Sequence, residues 1–398
     1  MTAAPSAPAV AVTGLGVISP LGDRLDPVLE ALRAGRGALS PLPGLGAAAA
    51  VPDFDASRYA TIRGLRLYGR PIRMAISAVQ LALTDAGLAP GAIPAEELGT
   101  VTACSLGHLE TLLEYDRSVA TQGPMRGNPA LMPLGLPSSP GAAVALSFGA
   151  KAFSMALAGA GAGLDALGLG ARMLSAGRAR ACVVVASFGL SPELSLAAQR
   201  AGWLAPDGRP LPFDRRRQGA ALGEGAVALV LERLPDARAR GNAGRALVAG
   251  MGGSFAPHPS DRAAALARAC QGALSQAGPG PAVGLVSAGA AGVVELDRAE
   301  ALGLLAALGA AAPGTPVTAV KACLGEPLDA GGLLQCLPAL DALRSGQLPP
   351  IAGLLEPEVP GLGYLTAPAR GDVPRALVTT TTLDGACAAA VLARIDER

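Results

Sequence analysis

Chemistry in a chain of 398 residues has to come from nucleophiles, acid–base groups, metal ligands or phosphate cradles, and this sequence is sparing with all four. It has two histidines, His108 and His258, and six cysteines, at 104, 182, 270, 323, 336 and 387. The cysteines are scattered, mostly within apolar runs and never as CxxC, so they read as buried reduced thiols. Two histidines cannot complete a zinc spacing, and no metal site is expected. The stretch FSMALAGAGAGLDALGLG (153–170) offers a glycine-rich turn instead. Within it Gly161-x-Gly163-x-x-Ala166 follows a strand-like run and opens an apolar-periodic helix, as a dinucleotide cradle would. A ribose-binding carboxylate should then stand about twenty residues on, where this chain has Val183-Val184-Val185-Ala186-Ser187. The glycines are therefore expected where a helix packs tightly against another backbone. A dinucleotide-binding oxidoreductase is the third of three functional readings, and no cofactor is assigned.

The elements that must position such a turn follow from composition and repetition. Hydrophobic residues make up 51% of the chain and charged residues 16%, which fits a compact interior. A net charge of +1 and 3% aromatic residues give neither electrostatic nor stacking grounds for nucleic-acid binding. The start, MTAAPSAPAVAV, lacks the basic region of a signal peptide. Residues 301–320 are uncharged, but Gly303 and Pro313-Gly314-Thr315-Pro316 interrupt them, which predicts a buried helix, a turn and a strand rather than a membrane span. A cytoplasmic protein is expected.

Five segments recur in the same order. VAVTGLG (10–16) returns as LVAGMGG (247–253), and PIRMAISAVQLALTDAG (71–87) as RAAALARACQGALSQAG (262–278). LGTVTACSLG (98–107) pairs with VGLVSAGAAG (283–292), RACVVVAS (180–187) with RALVTTTT (375–382), and GAVALVLER (225–233) with GACAAAVLAR (385–394). The matches predict a duplicated α/β unit, residues 9–235 and 243–396, joined by the linker PDARARGNAGR (235–245). Alternating strands and helices predict mostly parallel sheets in a layered α/β/α/β/α body.

Together with VAVTGLGVISPLG (10–22) and SFGLSPELSLAAQRAGWLAPDGRPLPFD (187–214), the run RPLPFDRRRQGAALGEGAVALVLE (209–232) resembles the β-ketoacyl-acyl-carrier-protein synthases of the thiolase superfamily. The resemblance extends from residue 9 to 395. It implies the thiolase-like fold, a dimer, and decarboxylative condensation of carrier-bound acyl chains by a cysteine at a helix tip and two histidines. At the matching positions this chain carries Ala160 for the cysteine, Gly289 in Gly289-Ala290-Ala291-Gly292-Val293 for the first histidine, and Glu326 in Lys321-Ala322-Cys323-Leu324-Gly325-Glu326 for the second. Thr382-Leu383-Asp384-Gly385 replaces the family's Gly-Phe-Gly-Gly turn. Lys321 and Glu300 match the family's buried Lys and Glu and are expected to form a structural ion pair, while Glu224 is expected to stabilise a turn. Cys323 is the one thiol on a loop expected near the old site, a surrogate nucleophile at most. His108 and His258 fall outside the motifs.

Arg58, Arg63, Arg66, Arg70 and Arg73 stand where relatives dock the acidic carrier protein. The resemblance implies a catalytically silent, chain-length-factor-like subunit that pairs with an active ketosynthase and meets an acyl carrier protein, although a homodimer is possible. A working synthase or acyltransferase with displaced catalytic residues is the alternative.

Overall fold

The computed structural model describes residues 8–107 and 109–396; His108 lies outside them. The chain is built on one eleven-stranded sheet. In chain order its strands are Val10–Ile18 (β1), Leu98–Ala103 (β2), Phe153–Leu157 (β3), Ala181–Phe188 (β4), Gly225–Arg233 (β5), Ala246–Phe255 (β6), Val283–Ser287 (β7), Pro316–Thr318 (β8), Gly363–Tyr364 (β9), Arg375–Thr381 (β10) and Ala386–Ala393 (β11). Their spatial order is β9-β8-β7-β10-β11-β6-β1-β5-β4-β2-β3. Reading outward from the centre, β1-β5-β4-β2 on one side is matched by β6-β11-β10-β7 on the other. Each of the four strand-bearing repeats thus occupies the same place in its half. The halves meet through a short antiparallel contact, Ala11 opposite Leu247 and Val12 opposite Ala246.

The sheet is mixed rather than mostly parallel. β1, β5 and β4 pair antiparallel, as do β10, β11 and β6, while β4-β2-β3 and β10-β7-β8-β9 are parallel. The reason is local. β10 and β11 are joined by the tight turn at 382–385, and a short turn can return only an antiparallel strand. β4 is buried at all eight positions, and its Val183-Val184-Val185 run is what a strand covered on both faces requires.

Helices complete the layers. Arg70–Asp85 (α1) and Ser139–Phe148 (α2) cover the outside of the first half. Arg262–Ala277 (α4) and Val294–Leu308 (α5) cover the outside of the second. Ala162–Ser175 (α3) and Cys336–Ser345 (α6) fill the middle, where the largest apolar core draws residues from both halves. This is the expected α/β/α/β/α stacking.

The first repeat has a steric basis. A Cβ on Gly14 or Gly16 would lie 2.2 Å from the Ala82 carbonyl oxygen or 2.0 Å from that of Ala78, both on α1. A Cβ on Gly250 or Gly252 would lie 2.1 Å from the Ala273 oxygen or 1.9 Å from that of Ala269, both on α4. Both Gly-x-Gly pairs therefore let a helix lie directly on a strand, and neither cradles phosphate. Residues 301–320 end α5, turn through Gly309–Gly314 and enter β8. Among the described residues no helix is long and apolar enough to cross a membrane.

Candidate functional site

β3 delivers the chain to the turn Ala158-Gly159-Ala160-Gly161, and α3 starts at Ala162 with Gly161 as its N-cap. Gly159 takes a positive φ of 141°, available to glycine at low cost. Its N–H donates to Ser105 Oγ at 2.8 Å, and the Ser105 hydroxyl donates in turn to Asp329, whose carboxylate also accepts the Ser105 N–H at 3.0 Å. Asp329 belongs to the second half, so this chain of bonds ties the turn to the other domain. Burial pushes the Asp329 carboxyl up to about 6 against those two bonds. The glycine packing expected here holds at Gly163, where a Cβ would stand 2.6 Å from the Asp329 carbonyl oxygen. It does not hold at Ala160, which is half-buried and borders a cavity.

That cavity, about 50 Å³, is lined by Ala160, Lys321, Glu326, Thr380, Trp203 and a wall of leucines. A much larger open cleft, about 1030 Å³, lies beside the linker at Asn242 and Arg245 and shares none of these residues. Two of the three reactive positions of the family pattern, 160 and 326, thus meet at one space. The third does not: Gly289 is buried beside it, and a Cβ there would lie 3.0 Å from the Thr379 oxygen, 3.2 Å from Thr380 Cα and 3.4 Å from Gln335 Nε2. The volume of an imidazole is already occupied.

The expected Lys321–Glu300 pair is replaced by another. Lys321 Nζ lies 2.6 Å from Glu326 Oε2, and Glu326 Oε1 accepts the Leu328 N–H at 2.9 Å. The Glu326 carboxylate, five residues on in the same loop, reaches the lysine and captures it. Glu300 instead accepts the Gly289 N–H at 2.8 Å and the Thr379 hydroxyl at 2.7 Å, and burial pushes it up to about 7 despite these donors and the nearby Lys321 charge. Cys323, expected near the site, lies 1% exposed in the central core. Burial raises its thiol to about 11, so it is protonated at neutral pH and a poor nucleophile. His258 is exposed at the start of a short turn before α4.

The arginine run divides. Arg58, Arg63 and Arg66 are exposed. Arg70 is structural: its Nη2 lies 2.6 Å from Glu224, and the same carboxylate accepts the N–H groups of Val51 and Leu190. Arg73 is half-buried, its Nε unpartnered among the described residues. The exposed basic face is therefore Arg58, Arg63 and Arg66.

Asp214 of Pro212-Phe213-Asp214 clasps the loop at 355–356. It accepts the Leu355 and Glu356 N–H groups and the Arg216 side chain. Burial opposes its charge, but these donors outweigh it and hold the carboxyl well below the usual range. Sequence reasoning passed over Ser105, Asp329, Gln335, Thr380 and Trp203. Asp329 and Gln335 carried a signal, as polar residues inside the apolar run LDAGGLLQCLPAL.

A duplicated, layered α/β body with a helix springing from a half-buried turn defines a thiolase-like scaffold. The β-ketoacyl synthase N-terminal domain matches residues 7–237 and the β-ketoacyl synthase C-terminal domain matches 246–354, and the chain belongs to the β-ketoacyl synthase family. It is 34% identical to the actinorhodin polyketide putative beta-ketoacyl synthase 2 of Streptomyces coelicolor, over 97% of this chain and 98% of the relative. It is 32% identical to the beta subunit of the tetracenomycin polyketide synthase ketoacyl synthase of Streptomyces glaucescens (98% and 99% covered) and 31% identical to the alpha subunit (98% and 97%). Among solved structures, the ishigamide ketosynthase/chain length factor superposes with a TM-score of 0.89 at 26% identity, covering 98% of this chain and 100% of that one. The protein is thus ketosynthase/chain-length-factor-like.

Proposed function

We propose that this chain is a pseudo-β-ketoacyl synthase, the non-catalytic, chain-length-factor-like partner of an active ketosynthase in polyketide, polyene or fatty-acid-like biosynthesis. One observation carries this: no thiol or imidazole of the described residues lines the cavity beside Ala160 and Glu326, which with Gly289 are the residues that the resemblance sets at the nucleophile and histidine positions. A methyl group cannot form a thioester, and each lost donor to a developing oxyanion removes about 3–4 kcal/mol of transition-state stabilisation. Near-equal identity to an alpha and a beta subunit does not separate the two roles; the depleted site favours the silent one.

The partner ketosynthase would extend the sheet at β3, which ends it on one side with its outer backbone edge unpaired among the described residues. An acyl carrier protein, acidic on its recognition face, would meet Arg58, Arg63 and Arg66. The working division into halves is 9–235 and 243–396. In the test, the purified chain is incubated with acyl-carrier and malonyl-carrier protein while intact mass and CO2 release are followed. Neither acylation nor decarboxylation is expected. An adduct that disappears in Cys323→Ala would establish displaced chemistry and overturn the assignment.

A further inference from the structure

The open cleft beside the linker, about 1030 Å³, takes no part in the proposed function. It forms where the two halves join. Thr13 of β1 and Asp85 at the end of α1 come from the first half, residues 241–245 from the linker, and Arg344, Arg394 and Ile395 from the second half. Its size suits a small molecule. The linker wall is fixed in advance by Asn242, whose amide donates to the Thr13 and Ala86 carbonyls at 3.2 and 3.1 Å and whose Oδ1 accepts the Gly244 N–H at 2.8 Å. A ligand would therefore meet a wall that needs little ordering on binding.

Charge selects the ligand. Four guanidinium groups line the cleft, Arg238, Arg245, Arg344 and Arg394, against two carboxylates, Asp85 and Asp396. Asp85 is already engaged: Arg245 holds it through two side-chain N–H groups, and it also accepts the Leu15 N–H at 2.8 Å. Arg394 pairs with Asp372, outside the lining, but with side chains 47% and 73% exposed that pair contributes little. Arg238 donates to the main-chain oxygen of Asp396 at 3.1 Å, and Arg344 stands exposed in the last turn of α6. Neither has a carboxylate partner among the described residues. This surplus favours an anion of more than one charge, and guanidinium forks match phosphate oxygens two at a time. Among the described residues no aromatic ring lines the cleft, so a nucleobase finds no ring to stack on, and Leu343 and Ile395 are its only large apolar side chains. Recognition therefore rests on the anionic group itself.

We propose that the cleft at the junction of the halves binds a diphosphate group, as the inorganic ion or as the end of an ester, with Arg238 and Arg344 as its guanidinium donors. Because both halves and the linker contribute, the ligand stabilises the junction and raises the melting temperature. The test is isothermal titration calorimetry of the full chain at low salt with inorganic diphosphate, ADP and succinate as probes. Saturable binding of a diphosphate probe is expected, with succinate, which carries less charge, about tenfold weaker. Arg238→Gln and Arg344→Gln should each weaken binding about tenfold and together abolish it, with the melting temperature of the unliganded protein nearly unchanged. Arg178→Gln, exposed and outside the cleft, should bind as wild type does. Ala243→Glu, which brings a carboxylate to the exposed linker wall, should also abolish binding and replaces the double variant if that one does not fold. Diphosphate binding alone identifies the inorganic ion, and tighter binding of ADP identifies an ester. No saturable binding of either diphosphate probe, wild-type affinity in the folded cleft variants, equal affinity for succinate, or equal weakening by Arg178→Gln overturns the proposal.

Discussion

Separating Lys321 from Glu326 is the perturbation whose size the structure defines best. The pair is 2.6 Å apart with side chains 9% and 18% exposed, so neither group regains full hydration when the other is removed. Stranding one member of a buried pair costs about 3–5 kcal/mol. Glu326 is the more exposed partner, so leaving it alone in Lys321→Met costs less than leaving the lysine alone in Glu326→Leu. Glu326→Leu is therefore expected to lose about 3–4 kcal/mol and Lys321→Met somewhat less. The double variant should lie within about 1 kcal/mol of wild type or above it, since apolar side chains of similar volume replace buried pairs at little cost. Urea unfolding of all four proteins, followed by circular dichroism, completes the cycle. Single variants within about 1 kcal/mol of wild type, or a double variant equal to their sum, would refute the ion-pair assignment.

Gly289→Ala should cost about 1–3 kcal/mol by overpacking, since its methyl would meet the 379–380 backbone; an undiminished melting temperature would show that the space is not filled. Glu300, pushed up to about 7 by burial, binds its proton more tightly folded than unfolded. The stability this contributes is present below about pH 4.3 and lost as pH rises through 7. Wild type should accordingly lose about 2–3 kcal/mol more than Glu300→Gln between pH 5 and pH 8, as measured by denaturant titration at each pH, and parallel profiles would disprove the shift. Met155→Asp, on the half-exposed edge strand β3, should abolish co-purification with a co-expressed ketosynthase while leaving a folded monomer by circular dichroism. Retained association would place the interface elsewhere.

Much of this architecture is local in origin and therefore readable from the chain. Strand and helix identity follows from apolar periodicity, and the repeated Gly-x-Gly pairs occur because only glycine lets α1 lie on β1 and α4 on β6. The order of the repeats then implies the two-fold layering. The vacancy at Ala160 is equally legible, since a residue type alone decides whether a thioester can form. Strand direction was not legible. Alternation suggested parallel pairing, but whether a strand returns antiparallel depends on the length of its connection and on which neighbour buries its second face.

Pairing choices likewise came only with the tertiary structure. The sequence contains Lys321, Glu300 and Glu326 without saying which carboxylate reaches the ammonium. Charge pairs fall off over a few ångströms, so a five-residue separation folded into one loop outcompeted the expected partner on α5. Arg70 was drawn to Glu224 in the same way, and Cys323 turned into the core because its helical turn presents that face to apolar neighbours. By itself, the sequence determined which atoms stand at these positions, a methyl at Ala160, no side chain at Gly289 and a carboxylate at Glu326, because covalent chemistry depends on the atoms a residue carries. Only the folded chain decided what surrounds them, an ion pair at Lys321 and Glu326, filled space at Gly289 and a Thr380 hydroxyl unpaired among the described residues, because burial and distance are properties of segments brought together from far apart.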